Sequence, residues 1–167
     1  ALLNASIFFD LDGVWGCTRW VEQLAAFIAD RARKSNGFLA CLARNALNRK
    51  PPLGFFKEFV MEKDGDHRNS INLKRRGTAP LSDIVRVHAL AVGSRALNSF
   101  ERLEDITAAG ILPDGRGPDL RDALEFISLV RLRHQAHDIE NNRTPDNNVE
   151  PDNLLGFERR HLKDAFQ

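Results

Sequence analysis

The chain has two cysteines, one methionine and seven prolines in 167 residues. Cys17 and Cys41 make neither a disulfide framework nor a cysteine-based metal spacing. They read as free thiols of a reducing compartment, so the expected location is the cytoplasm. No run approaches the ~20 apolar residues that a membrane span needs. The apolar start, Ala1–Phe9, has no basic leader and no processing site, so it is not read as a signal peptide. The formal net charge is only +1. That excludes a global field of the kind that draws a whole protein to nucleic acid or to a membrane. There is no Gly-x-Ser-x-Gly elbow, no Walker loop and no dinucleotide fingerprint. Internal repeats and low-complexity tracts are absent as well.

What remains is an ordinary globular composition, 43% hydrophobic and 28% charged. The length suits one domain, or one domain with an appendage, and can bury a real core. The longest regular stretch is Pro118–Asn141, PDLRDALEFISLVRLRHQAHDIEN. Pro118 fits a first helical turn, where its missing N–H is not needed. Apolar residues from Leu120 to Ile139 cover more than one helix face. The expectation is a central helix wrapped by others. Arg133, His134 and His137 interrupt its apolar faces, and a buried helix must find partners for such groups.

In chain order, Ser6–Asp10 reads as a short β-type run with no partner nearby. A helix follows to about Arg33, with Val21, Leu24, Ala25, Ile28 and Ala32 as its stripe. Asn36-Gly37 breaks the chain, and a second helix runs from Phe38 to Asn48 before Pro51-Pro52. Phe55–Glu62 and Asn69–Lys74 flank a polar Asp-Gly turn and read as a β-hairpin, although the first arm could be a short helix. Asp64, Asp66 and His67 are then its polar tip. Thr78 can cap a helix that holds Pro80 in its first turn, with His88 in its apolar stripe as a core histidine. Asn98-Ser-Phe-Glu101 resembles a capping box for a helix to Ala109. The central helix, a polar loop over 141–150 and a last helix from Pro151 complete the chain. The fold class expected is mainly α: about six helices in a bundle, with a small β-hairpin and an N-terminal orphan strand.

Two cationic clusters are candidate sites. Lys74-Arg75-Arg76-Gly77 stands just before a helix N-terminus, which suits a phosphate or an acidic partner. The bland alternative is a solvated run, or arginines tied to Glu58, Glu62 or Asp83. Arg131, Arg133, His134, Gln135 and His137 could line a pocket for a phosphate or a base. They could equally form an ion-pair network with Glu101, Glu104 or Asp83. His134 and His137 share a helix, but no carboxylate-rich motif accompanies them, so no metal site is expected. Asp10-x-Asp12 after an apolar run suggests a phosphatase of the haloacid dehalogenase type, but the chain lacks the alternating strands of such a core.

Six blocks occur in order: Ile7-Phe-Phe-Asp-Leu11, Pro51-Pro-Leu-Gly-Phe-Phe56, Leu73-Lys-Arg-Arg-Gly-Thr-Ala-Pro-Leu81, Arg131-Leu-Arg-His-Gln135, Pro145-Asp-Asn147 and Leu162-Lys-Asp-Ala-Phe166. Together they resemble the C-terminal substrate-binding domain of bacterial nucleotidyltransferases related to the PII-protein uridylyltransferase. Such proteins are signalling chains that commonly carry CBS or cyclic-nucleotide-binding modules upstream. The resemblance implies a helical domain behind a catalytic core. Residues 1–13 would be a strand and linker from that core, and 14–167 the substrate-binding domain. The start without Met and the end inside a helical pattern fit a piece of a longer protein. The family's catalytic Gly-Ser turn and Asp-x-Asp pair are not in this stretch. No catalytic residue and no cofactor is therefore expected here, and Mg²⁺ only in the catalytic domain.

The leading expectation is an accessory domain, silent alone, in which Lys74, Arg75, Arg76, Arg131, Arg133, His134 and Gln135 contact a nucleotide or an acidic protein substrate. Its partner would be its own upstream nucleotidyltransferase domain, with no membrane partner. A second reading is a regulatory or dimerisation module that forms a homodimer. A third is a helical ribonuclease using the Arg131-x5-His137 spacing for acid–base cleavage.

Overall fold

The computed structural model describes residues 7–63 and 67–167. Among these the protein is mainly α, as the patterning predicts. Six α-helices occur: α1 Arg19–Arg33, α2 Asn36–Leu47, α3 Ala79–Val92, α4 Ser99–Ala108, α5 Arg116–Glu140 and α6 Gly156–Ala165. The small antiparallel β element is present too, as strands β1 (Ile71–Asn72) and β2 (Asn148–Val149). The chain divides into two compact units, 1–48 with 82–117, and 49–81 with 118–167. Of the three division points, one follows α2 and the other two fall inside α3 and inside α5.

In the first unit the core joins Ala32, Leu42 and Leu90, flanked by Phe9, Phe38, Leu39 and Val87. The expected N-terminal strand is not there. Ile7–Asp10 is a turn of 3₁₀ helix, and Ser6 lies outside the described residues. The reason is long-range. Buried Arg102 donates to the Phe9 carbonyl at 2.9 Å and to Asp10 Oδ1 at 2.7 Å, while Arg86 reaches Asp10 Oδ2 at 2.8 Å. Two arginines therefore hold the segment by its backbone and its carboxylate, and no sheet is needed to satisfy it. Asp10 is thereby a structural counter-ion. The next helix boundaries follow local rules. Asn98 accepts from the Phe100 amide at 2.8 Å and so caps α4.

In the second unit the core joins Ile71, Leu73, Ile127, Val130, Val149 and Leu162. The β pairing differs from the expected hairpin. β1 pairs with β2, Ile71 opposite Val149 and Asn72 opposite Asn148. The flanks of the Asp-Gly turn still meet through backbone bonds between Glu62 and Ser70 and between Asn69 and Glu62. The turn residues 64–66 lie outside the described set. Ile71 and Val149 are both almost fully buried, so pairing these two strands places both side chains in one core.

Thr78 does not cap α3. It lies in a π-helical turn, Lys74–Thr78, and its hydroxyl accepts from Arg131 Nη1 at 3.1 Å. Gly77 in that turn is buried against Ile127. α5 buries Leu124, Ile127 and Val130. Its second apolar stripe is not covered: Leu129, Leu132 and Ile139 are each at least half exposed. The expected wrapping on more than one face is corrected to one covered face.

A Cβ at Gly77 would stand 2.8 Å from Ile127 Cγ2, and Ile127 has no exposure in which to retreat. Gly77→Ala is expected to lower unfolding stability by about 1–3 kcal/mol, the usual cost of overpacking. Urea unfolding followed by circular dichroism measures it.

Candidate functional site

The polar end of α5 builds the candidate site, entirely within the second unit. Three segments supply it: the last two turns of α5, the loop over 141–147, and the 150–158 segment leading into α6. His134 and Asp138 are four residues apart and so share a helix face. Asn142, at φ 55°, ends the helix in the left-handed conformation that asparagine tolerates. The Arg143 amide then bonds back to the Asp138 carbonyl at 2.8 Å. This turn directs the loop along the helix it has just left.

Side chains then fasten the loop to α5. Arg143 donates to Asp138 Oδ1 through Nε at 3.0 Å and Nη2 at 2.9 Å. Asp138 is 5% exposed, so this pairing offsets the cost of a buried carboxylate. Gln135 donates to Asn147 Oδ1 at 3.3 Å. The Leu73 amide donates to the Asn147 carbonyl at 2.8 Å, which ties the loop to β1 as well. Asp146 folds over Asn148: its Oδ1 accepts the Asn148 amide at 2.8 Å and its Oδ2 the Asn148 side chain at 3.2 Å.

Asp146 is thereby aimed at His134. The Nε2 atom of His134 lies 3.3 Å from Asp146 Oδ1 and 3.3 Å from Asp138 Oδ2. His67 Nδ1 stands 3.4 Å from the other Asp146 oxygen. Desolvation raises the Asp146 pKa, but the hydrogen bonds from Asn148 and His134 outweigh it and hold the carboxyl below the ordinary aspartate value. His134, Asp138 and Asp146 offer ligand atoms that all lie within 4.8 Å of one another.

Two cavities open on this cluster. One, of about 410 Å³, is lined by the polar side chains of Arg133, His134, His137, Arg143, Glu150, Asn153 and Glu158, together with Val130, Val149 and Leu154. The second, of about 220 Å³, is lined by His67, His134, Asp138, Arg143, Asp146 and Asn148 among others. The first falls in the size range of small-ligand sites, about 300–1,000 Å³. Glu158, at 5% exposure, accepts a direct hydrogen bond from Arg133 and also accepts the Leu155 amide at the start of α6.

Of the residues that the sequence singles out, Arg133 and His134 line the larger cavity, with His137 beside them. Gln135 supports the loop. Arg131 is bonded to Thr78, and its buried Nε has no partner. It is not among the lining residues of either cavity. Six residues along a helix is about 120° of rotation away from a common face, so Arg131 and His137 do not converge. Arg75 pairs with Glu62, one of the bland partners foreseen, and Arg76 donates to the Val60 carbonyl at 2.7 Å. Lys74 is exposed. The groups missed by sequence reasoning are Asp138, Arg143, Asp146 and Glu158. The i, i+4 relation of His134 and Asp138 and the Pro145-Asp-Asn block were the available signals. The fold back at Asn142 was not readable from either.

A family model described as "Putative nucleotidyltransferase substrate binding domain" matches residues 36–167. No curated protein and no solved structure matches the chain.

Removing Arg143 leaves a buried carboxylate short of two charged hydrogen bonds. Arg143→Ala is expected to cost about 1–3 kcal/mol, with Arg143→Lys intermediate because one ammonium cannot reproduce the fork. Chemical denaturation of the three proteins ranks them.

Proposed function

The chain belongs to the nucleotidyltransferase substrate-binding family, and on that premise we propose that it is the accessory binding domain of a signalling nucleotidyltransferase. In this reading its partner is a catalytic domain in the same protein, and the cavity at the end of α5 receives the substrate. The observation that carries the reading is the convergence of Arg133, His134, His137 and Arg143 on one cavity of ligand size. Guanidinium groups bind phosphate in a fork geometry, and imidazoles add donors. Glu150 and Glu158 in the same lining suit ribose or base donors. A nucleotide is therefore the substrate favoured over an acidic protein segment. Arg131 and Gln135 act as positioning residues in this scheme. Lys74, Arg75 and Arg76 line neither cavity, and in this reading they add basic charge to the same unit without touching the substrate.

Calorimetric titration of the chain with nucleoside triphosphates tests this. One site is expected, weakened about 10- to 100-fold in Arg133→Ala, the loss of one charged hydrogen bond of about 1.5–3 kcal/mol. Equal affinity in both proteins, or no binding by either, contradicts the reading.

A second reading, a regulatory or dimerisation module, is favoured by one observation. Leu129, Leu132, Ala136 and Ile139 recur at three- and four-residue steps and are all exposed. Such a stripe has the spacing of a helix-pairing seam. Sedimentation should then show a concentration-dependent dimer that Leu132→Asp turns into a monomer. A strict monomer at high concentration eliminates it.

A further inference from the structure

Beyond the binding of a substrate, we propose that His134, Asp138 and Asp146 form a site for one divalent transition-metal ion of the zinc class, with its open position facing the smaller cavity. The spacing carries the inference. A tetrahedral ion with bonds of about 2.0–2.1 Å sets its ligands about 3.3–3.4 Å apart. His134 Nε2 stands 3.3 Å from Asp138 Oδ2 and 3.3 Å from Asp146 Oδ1. Direct hydrogen bonds between an imidazolium and a carboxylate are shorter, about 2.7–2.9 Å. One ring nitrogen, moreover, has one proton and cannot donate fully to two oxygens. Both separations fit the ligand spacing of such an ion, and the three ligand atoms all lie within 4.8 Å of one another.

The surroundings are those of a prepared site. Each carboxylate is also held by a second group. Arg143 takes Asp138 Oδ1 and leaves Oδ2 to the cluster. Asn148 fixes Asp146 through both its amide and its side chain. Outer partners of this kind orient metal ligands and are nearly as important as the ligands themselves. One nitrogen with two carboxylate oxygens suits zinc better than magnesium, which prefers oxygen and keeps its water. Three protein ligands leave a fourth position, as in sites where the metal meets water or a substrate oxygen. The cavity of about 220 Å³ lined by all three residues supplies the entry path and the room for that fourth ligand. His67 borders the same cavity and touches the far oxygen of Asp146.

The test uses the tag-free chain, stripped with chelator and titrated with Zn²⁺ by calorimetry and with Co²⁺ by visible absorption. One equivalent should bind, with the strong visible bands of tetrahedral Co²⁺. Asp138→Asn and Asp146→Asn keep side-chain volume, and each should weaken Zn²⁺ more than about 100-fold, beyond the 10- to 100-fold typical of losing an outer partner. His161→Gln, on the exposed face of α6, should bind as the parent does. Circular dichroism checks the fold of each variant. If one aspartate variant loses its helical signal, the other decides alone, and His134→Gln decides if both do. No binding by the parent, or affinity kept within about threefold in a folded aspartate variant, overturns the proposal. No nucleotide enters the assay, so its outcome is separate from that of the substrate reading.

Discussion

The second unit depends on the pairing of one buried carboxylate. Asp138 sits at 5% exposure near the end of α5, where an uncompensated charge would be costly. Arg143 satisfies it from five residues downstream, and to do so the chain must turn back at Asn142. That return brings Asp146 to His134 and Asn147 to Gln135, and it delivers Asn148–Val149 to pair with β1. Val149 then enters the same core as Ile71, Leu73 and Ile127. A single polar satisfaction thus sets a loop, a sheet register and part of an apolar core.

The same fold-back shapes the cavity. α5 contributes Arg133, His134 and His137 to its lining, and the returning chain contributes Arg143, Glu150, Asn153 and Glu158. The charges are mixed, so the cavity does not act as a simple anion trap. Arg133 is held by Glu158, and Arg143 by Asp138. Preorganised guanidinium groups lose less freedom when they engage a phosphate than free ones do. Each must share its donors with the carboxylate it already serves, which favours a ligand that offers both acceptors and donors.

Much of the helical layout was legible in the sequence. The stripe before Arg33, the Asn98 cap and the long run from Pro118 each state a local preference that the structure keeps. Asn36-Gly37, by contrast, does not break the chain but opens α2, and the interruption falls at Lys34-Ser35. What was not legible depends on distant partners. Ile7–Asp10 has the composition of a strand, but Arg86 and Arg102 hold it in a 3₁₀ turn. Ile71–Asn72 has a plausible nearby partner in the preceding arm, yet it pairs with a strand 76 residues on. In the site, His134, Arg133 and Gln135 stood out because they break the apolar pattern of α5. Asp146 and Arg143 did not, because in a polar loop such residues are commonplace. Their importance comes from the turn at Asn142, a backbone event that leaves little mark in composition.

The most direct test of this account is the amide spectrum of the isotope-labelled chain during titration with a nucleoside triphosphate. Shifts are expected to concentrate in 133–158, the stretch that supplies most of the cavity's lining. Shifts confined to Lys74–Arg76, or spread evenly over the first unit, would contradict the account.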